Sequence, residues 1–285
     1  PITSSGVETK PIVDSANHFL AQFNGETASA MQFDIQDEEW RKWSNVDNGI
    51  YDRQGISLKA MTTLQRESAF ALMKSSLSAK GLTQSRDIMK TDQMLHELNN
   101  NAPHLDEQLY FFTIMGTPSL TEPWGWQIDG HHLVINFFVL GDQVVMSPVF
   151  MGGEPVHTKS GKYAGNSILQ PEQNIGLEFM QSLDTDQQQR AIISAQKSHN
   201  DNRAAANKDN VILDYEGLPA SAMTYVQKSK LLELTRLYVG NARDDHANVK
   251  MEDIGAHLEE TWFAWIGDTS DEAVFYYRIH SPVVL

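Results

Sequence analysis

Four residues of the chain have types and spacings that suit catalysis or metal binding. His131 and His132 follow a short Asp-Gly turn signal, and Arg278 and His280 alternate near the end of the chain. Strand residues two apart share a face, so Arg278 and His280 are expected side by side, where they can bind an anionic substrate group or where the His can bind a metal. Adjacent strand residues point to opposite faces, so the two histidines cannot both bind one metal from a regular strand. His132 is expected on the polar face and is the better candidate ligand, and His131 is the second.

A two-His, one-carboxylate site is the metal centre that these histidines predict. We expect His132 and His280 as ligands of one divalent metal, Zn²⁺ or Fe²⁺. The carboxylate would come from Glu154, Glu178 or a segment beyond Leu285. Such a metal polarises a carbonyl or phosphoryl oxygen and supplies hydroxide near neutral pH. The sequence contains no Gly-rich phosphate loop, so no nucleotide cofactor is expected. It also contains neither GxSxG nor HExxH, so the familiar hydrolase machinery is not expected either.

The segment 151–170 carries four glycines and no hydrophobic period. It predicts a long loop, and long loops inside a compact domain are often functional. Glu154 and His157 lie three residues apart in this loop and are the predicted catalytic acid–base pair. The alternative is that both are ordinary solvent-exposed loop residues.

The elements that must position these groups follow from hydrophobic periodicity. Residues 109–150 show a period of two, which predicts an antiparallel meander with turns at Asp129-Gly130 and Gly141-Asp142. The predicted strands are Leu109–Gly116, Trp124–Ile128, His132–Leu140, Gln143–Phe150, Thr261–Ile266 and Val274–Ile279. Predicted helices cover a first stretch ending near Gly81, then 83–98, one from Pro171, one opened by a capping box of Thr185 and Gln188, 219–239, and one carrying Ala247 to Leu258.

This pattern predicts an α+β fold with helices packed on one face or end of an antiparallel meander sheet. Residues 1–30 would form an N-terminal extension and first helix, and 31–285 a single domain cut off in its C-terminal strand.

The first hairpin sorts side chains onto two faces. With Asp129-Gly130 as the turn, Gln127 pairs with His132 and Trp126 with Leu133. The core face then carries Trp124, Trp126, Leu133, Ile135 and Phe137, and the opposite face carries Gln127, His132, Asn136 and Ser147. Gln127 and Asn136 are therefore expected to orient a substrate, although a structural hydrogen-bond network explains them equally. Trp262 and Trp265 lie on opposite faces of their strand, and Trp265 is the predicted ligand-binding aromatic residue.

Several segments together resemble the family known as domain of unknown function 3500. They are Pro123–Trp126, Asp129–Leu133, Pro148–Gly152, Gly176–Gln187, Thr261–Gly267 and Phe275–Pro282. The likeness covers most of the chain from about Trp40 onward. It implies a bacterial or fungal protein that often carries a signal peptide, with a carboxylate- and His-containing tail beyond the present sequence, and it brings no assigned activity.

The composition of the chain excludes several further classes of function. The 22 Lys+Arg and 37 Asp+Glu give a net charge of −15, which argues against a nucleic-acid partner. There is no cysteine and no apolar run long enough to span a membrane, and the polar, turn-rich start favours a secreted or periplasmic protein. We expect an exported metal-dependent enzyme, hydrolase-like or an oxygenase, that acts on a small or anionic substrate. The alternative is a non-catalytic exported protein that binds a small ligand or saccharide. The oligomeric state stays open.

Overall fold

The structure is a computed structural model. It describes residues 2–48, 50–198, 201, 208 and 211–285.

Backbone contacts divide the chain into two compact units. The first consists mainly of the chain up to Leu169 together with Ala242–His246, and the second mainly of the chain from Gln170 onward. The predicted mixed class of helix and sheet is confirmed, whereas a single domain is not. No helix in the described ranges is long and apolar enough to cross a membrane.

The first unit contains one mixed sheet. Its strands are β1 (Gln32–Phe33), β2 (Ile56–Ser57), β3 (Tyr110–Gly116), β4 (Trp124–Gly130), β5 (Leu133–Leu140) and β6 (Gln143–Met151). The order is β1-β3-β4-β5-β6, with β2 paired to β3. β3 to β6 form the predicted antiparallel meander, but β1 runs parallel to β3, so the expectation of a purely antiparallel sheet is wrong. A parallel neighbour needs a long crossover, which residues 34–109 provide.

Within the described residues, four helices lie wholly in the first unit. They are α1 (Lys10–Leu20), α2 (Gly25–Ala30), α3 (Thr63–Ser76) and α4 (Ala79–Leu98), with a 3₁₀ turn at Glu38–Arg41. Gly81 does not end a helix as predicted. The break falls at Leu77 and Ser78, three to four residues earlier, because the Ser78 side chain caps α4 by accepting a 3.0 Å hydrogen bond from the Gly81 N–H.

The predicted core face is confirmed, but the predicted hairpin register is wrong. All five core residues named above are fully buried. The turn is His131-His132 rather than Asp129-Gly130, so Gly130 pairs with Leu133 and Gln127 pairs with Asn136. Gly130 stays in β4 because the Tyr110 ring packs on it: a Cβ there would lie 2.3 Å from Tyr110 Cδ1. The slip is an even number of residues, so each side chain keeps its face.

The second hairpin turns at Gly141-Asp142 as predicted. Its pairing follows the predicted register from Leu140 to Phe137, which pairs with Met146. A register shift between Ile135 and Phe137 then follows, so the predicted pairing of Asn136 with Ser147 does not form.

The second unit has a four-stranded sheet covered by helices. Its elements are α5 (Gln170–Gln181), α6 (Thr185–Ala191), β7 (Ile192–Ser194), β8 (Leu218–Pro219), α7 (Tyr225–Val239), most of α8 (Asp244–Ala256), β9 (Trp262–Gly267) and β10 (Phe275–His280), with 3₁₀ turns at Ala220–Ala222 and Leu258–Glu260. The strand order is β10-β9-β7, with β8 paired to β9. β9 and β10 form the predicted antiparallel hairpin, while β7 runs parallel to β9.

Two helix starts in the second unit differ from prediction. The N-cap of α6 is Asp184, which forms the capping box with Gln187, one residue before the predicted box. α7 starts at Tyr225, because Thr224 and Gln227 make its capping box and Pro219 lies in β8 instead of opening the helix.

Candidate metal centre

Asp92, His131 and His132 converge beside the β4–β5 turn. One ligand atom from each of these residues lies within 4.8 Å of the others, and no other group of three such residues does so in the described part of the chain. Asp92 comes from α4 and the two histidines form the turn. Two imidazoles and one carboxylate therefore meet in the first unit.

A buried hydrogen-bond network holds His131. Asp92 Oδ1 lies 2.7 Å from His131 Nδ1, and the Tyr110 hydroxyl donates to Asp92 Oδ2 at 2.6 Å. The same hydroxyl lies 3.0 Å from the His131 carbonyl oxygen. A carboxylate that accepts from Nδ1–H leaves the Nε2 lone pair free as a base or metal ligand. Burial, followed by the Asp92 charge, raises the pKa of Tyr110 well above its usual value, so this hydroxyl remains a donor.

The turn geometry fixes His132. Its φ is +59°, in the left-handed region that residues other than Gly and Asn adopt only rarely. Its N–H donates to Asn45 O at 2.9 Å, and its carbonyl accepts from Gly152 N at 2.9 Å. The imidazole stacks on His131 with ring centroids 3.8 Å apart.

The imidazole of His132 is uncharged at neutral pH, and one of its nitrogens lacks a hydrogen bond. Nδ1 is buried and has no hydrogen-bond partner in the described structure. Burial, and then the neighbouring His131, lowers the pKa of His132 to about 4. At neutral pH the ring therefore carries no charge, as metal coordination requires.

Acidic groups surround this pair of imidazoles. Besides Asp92, the carboxylates of Glu154 and Asp47 are near enough to favour the charged form of His132. Asp47 Oδ2 lies 3.4 Å from His104 Nε2. These three carboxylates all favour a positive charge at the His132 imidazole.

The segment that carries Asn45 and Asp47 is held by one buried arginine. Arg53 donates to the carbonyl oxygens of Ser44 and Asp47 at 2.6 and 2.9 Å. It also forms a buried ion pair with Asp129 at 3.2 Å. Burial raises the pKa of Asp129 to about 6, although Arg53 opposes that shift.

The predicted polar residues of the sheet face are mutually bonded. Gln127 and Asn136 are both 2% exposed, and Gln127 Nε2 donates to Asn136 Oδ1 at 2.6 Å. Asn136 Nδ2 donates to Pro148 O at 3.0 Å. These contacts are those of the structural network that the sequence left open as the alternative to substrate orientation.

The predicted acid–base pair of the loop is not brought together by any contact. Glu154 is exposed, and its negative charge acts to raise the pKa of His132. His157 is exposed, and its Nδ1 lies 2.9 Å from Ser167 Oγ. Only Glu154 is therefore associated with the centre.

Arg278 and His280 lie in the second unit, on one face of β10 as alternation predicts. Arg278 is 5% exposed, and its Nη2 donates to Glu216 Oε2 at 2.6 Å. The His280 ring packs on Tyr215 with centroids 4.4 Å apart, and its Nδ1 is buried without a partner in the described structure. Burial, and then Arg278, lowers the pKa of His280.

Trp265 is a core residue and not a ligand-binding surface. It is 0% exposed, stacks on Phe275 with centroids 4.4 Å apart and donates from Nε1 to Asp268 O at 3.2 Å. The expectation that Trp265 contacts a ligand is therefore corrected. Of the two tryptophans of β9, Trp262 is the partly exposed one.

Sequence reasoning missed Asp92 and Tyr110. A signal was present: Asp92 lies four residues after Ile88 and three after Met89, on the face of α4 that is buried. A carboxylate on the apolar stripe of a helix needs a partner, which marks it as a candidate site residue.

The fold and the site define a protein of mixed helix and sheet class with a buried His–carboxylate cluster. The family model described as a protein of unknown function, DUF3500, matches residues 5–285, and the chain belongs to this family. No curated protein and no solved structure matches the chain.

Proposed function

We propose that this protein is a divalent-metal-dependent enzyme of the hydrolase type whose metal is held beside the β4–β5 turn. The observation that carries the proposal is the convergence of Asp92, His131 and His132, with a buried and unpartnered nitrogen on His132. An imidazole nitrogen that is buried without a hydrogen bond loses solvation, and a bound cation restores it.

The chemistry of the donor set fits Zn²⁺ or Fe²⁺. His131 and His132 supply imidazole nitrogens, which suit both metals. Asp92 accepts from His131 Nδ1, the contact that commonly orients a metal-bound histidine. Glu154 is the nearby exposed carboxylate with freedom to act as a further ligand or as a base. In the proposed centre, Asp92 is the buried carboxylate that orients His131. All residues of the centre belong to the first unit.

Each group at the proposed centre would have a separate role in catalysis. A metal held here by His131 and His132 would supply Lewis-acid chemistry, lowering the pKa of a bound water and polarising a substrate oxygen. Asp92 and Tyr110 would hold His131 in one tautomer, which leaves the Nε2 lone pair available as a metal ligand. Glu154, whose charge acts on His132, is the proposed acceptor of a proton from a nucleophilic water. The proposed substrate is small or anionic, and export to the periplasm or the outside is part of the same proposal.

Metal content tests the proposal. Protein purified without a His tag, as wild type, His131→Ala, His132→Ala and His18→Ala, is analysed by elemental mass spectrometry. His18 is exposed on α1 and serves as the matched control. We expect about one Zn or Fe per chain in wild type and H18A, and loss of the metal in the other two variants. An equal metal content in all four proteins, or no metal after incubation with Zn²⁺ or Fe²⁺, contradicts the proposal and favours the non-catalytic ligand-binding alternative.

A further inference from the structure

A second candidate site lies in the first unit, on the sheet face opposite the core. It is a cleft of about 260 Å³ lined by Trp40, Arg41, Asn136, Phe138, Ser147 and Pro148. We propose that this cleft binds a single acidic sugar ring, a uronate, through its carboxylate at Arg41 and its ring face at Trp40. The proposal does not depend on the metal centre.

Trp40 is held in place by the fold. Its Nε1 donates to Ile35 O at 2.9 Å, and its indole edge packs on Gly125, where a Cβ would lie only 2.5 Å from Cη2. The ring is half-buried, so part of it is available at the cleft. An aromatic ring fixed in this way offers a flat apolar surface at little entropic cost, which suits the C–H face of a pyranose.

Arg41 supplies an unsatisfied cation. It is exposed, and its guanidinium forms no hydrogen bond or ion pair with any residue that the structure describes. This is notable in a chain with a net charge of −15, where acidic partners are abundant. The neighbouring Lys42 is paired with Glu39 at 3.9 Å. A guanidinium binds a carboxylate through two parallel hydrogen bonds, which is the recognition proposed for the uronate.

The remaining wall residues set the size and polarity of the ligand. The Ser147 hydroxyl is exposed and makes no hydrogen bond within the described residues, so it can bind a sugar hydroxyl. Phe138 and Pro148 provide apolar walls, while the Asn136 amide is already bonded to Gln127 and Pro148. The volume of about 260 Å³ lies below the range for drug-sized ligands, so the cleft suits one ring.

Titration calorimetry and saturation-transfer NMR with glucuronate test this inference. We expect saturable binding to wild type, weakened about tenfold or more in Arg41→Gln because one charge-assisted contact is lost. Glucose, which has the ring without the carboxylate, should bind at least tenfold more weakly than glucuronate for the same reason. Arg190→Gln removes an exposed arginine from α6 and should bind glucuronate as wild type does.

Three results overturn the proposal. They are an absence of saturable glucuronate binding, equal affinity of wild type and R41Q, and binding of benzoate as tight as that of glucuronate, which shows a site for aromatic carboxylates instead. Ser147 is exposed, so Ser147→Ala should leave the fold intact. It removes the proposed contact to a sugar hydroxyl and leaves the contact of Arg41 to the carboxylate. We expect it to weaken glucuronate several-fold without changing the weaker affinity for benzoate.

Discussion

Asp92 Oδ1 lies 2.7 Å from His131 Nδ1, although 39 residues separate the two along the chain. The contact joins the buried face of α4 to the turn between β4 and β5. A side-chain pair that links two elements so far apart in sequence restricts the His131 ring to one orientation. This restriction is what the proposed metal centre requires of its first ligand.

Replacing Asp92 by Asn tests the orienting role directly. The amide keeps the volume of the carboxylate but has only one acceptor oxygen. It cannot keep both contacts, because His131 Nδ1 and the Tyr110 hydroxyl bond to different oxygens of Asp92. We expect the affinity for Zn²⁺ to fall about 10- to 100-fold, as measured by competition with a chelating dye. Tyr110→Phe removes one of the two hydrogen bonds and should give a smaller loss.

Asp87→Asn is the matched control for this experiment. Asp87 lies on the same helix and forms a partly exposed ion pair with Lys90 at 2.6 Å. Its affinity for Zn²⁺ should equal that of wild type. An Asp92→Asn protein that binds Zn²⁺ as tightly as wild type would remove Asp92 from the centre.

The left-handed backbone of His132 gives a second test. His132→Ala and His132→Asn both remove the imidazole, but Ala is strained at φ +59° whereas Asn tolerates this region. We expect the Ala variant to be less stable than the Asn variant by about 1 kcal/mol in urea unfolding with EDTA present. Both should lose the metal. Equal stability of the two variants would speak against the turn geometry described above.

Hydrophobic alternation was sufficient to predict the meander and its core face. Trp126 and Phe137 are buried as expected, because a register error of an even number of residues leaves every face unchanged. The turn position was not predictable from the Asp129-Gly130 signal. Gly130 is needed inside β4 by the Tyr110 ring, a contact between strands that local turn preferences do not contain.

The site was predicted in part, for a similar reason. His131 and His132 were recognised by type, but their partner Asp92 comes from a helix whose docking no local pattern specifies. The parallel pairings of β1 and β7 were also missed, since strands of two or three residues are too short to show a period. Trp265 was assigned to a ligand because alternation separates the two faces of β9 without telling which one is covered.

The close approach of Gly130 and Tyr110 gives a third test. A Cβ at residue 130 would lie 2.3 Å from Cδ1 of a ring that is fully buried and held by Asp92 through its hydroxyl. We expect Gly130→Ala to destabilise the protein by roughly 1–3 kcal/mol in urea unfolding and to weaken Zn²⁺ binding.

Gly255→Ala in α8 is the matched control, because nothing lies within 4 Å of its Cβ position. This variant should be stabilised by about 0.5–1 kcal/mol through the higher helix propensity of Ala. If Gly130→Ala left the free energy of unfolding unchanged, that result would contradict the packing described for the Tyr110 ring.

The buried Glu39 gives the protein a pH dependence that can be measured. Burial raises the pKa of this carboxyl from 4.5 to about 7, and only Lys42 opposes the shift. Between these two values the folded state binds more protons than the unfolded state, so the stabilising contribution is present below pH 4.5 and is lost as the pH rises to 7.

Glu39→Gln should therefore leave stability near pH 5 almost unchanged and raise it at pH 8 by roughly 1–3 kcal/mol. Urea unfolding at both pH values measures the effect. The neighbouring Glu38 is exposed, so Glu38→Gln should show no such difference between the two pH values. A Glu39→Gln protein with the same pH profile as wild type would refute the raised pKa.

The most direct test of the metal centre is X-ray absorption spectroscopy at the zinc edge of the Zn²⁺-loaded protein. We expect two imidazole ligands at about 2.0 Å with the remaining ligands oxygen, and one imidazole fewer in His132→Asn. His18→Ala should give the wild-type spectrum, because His18 lies on an exposed face of α1. A spectrum without imidazole scattering, or one that His131 and His132 substitutions leave unchanged, would contradict the proposal that these two residues hold the metal.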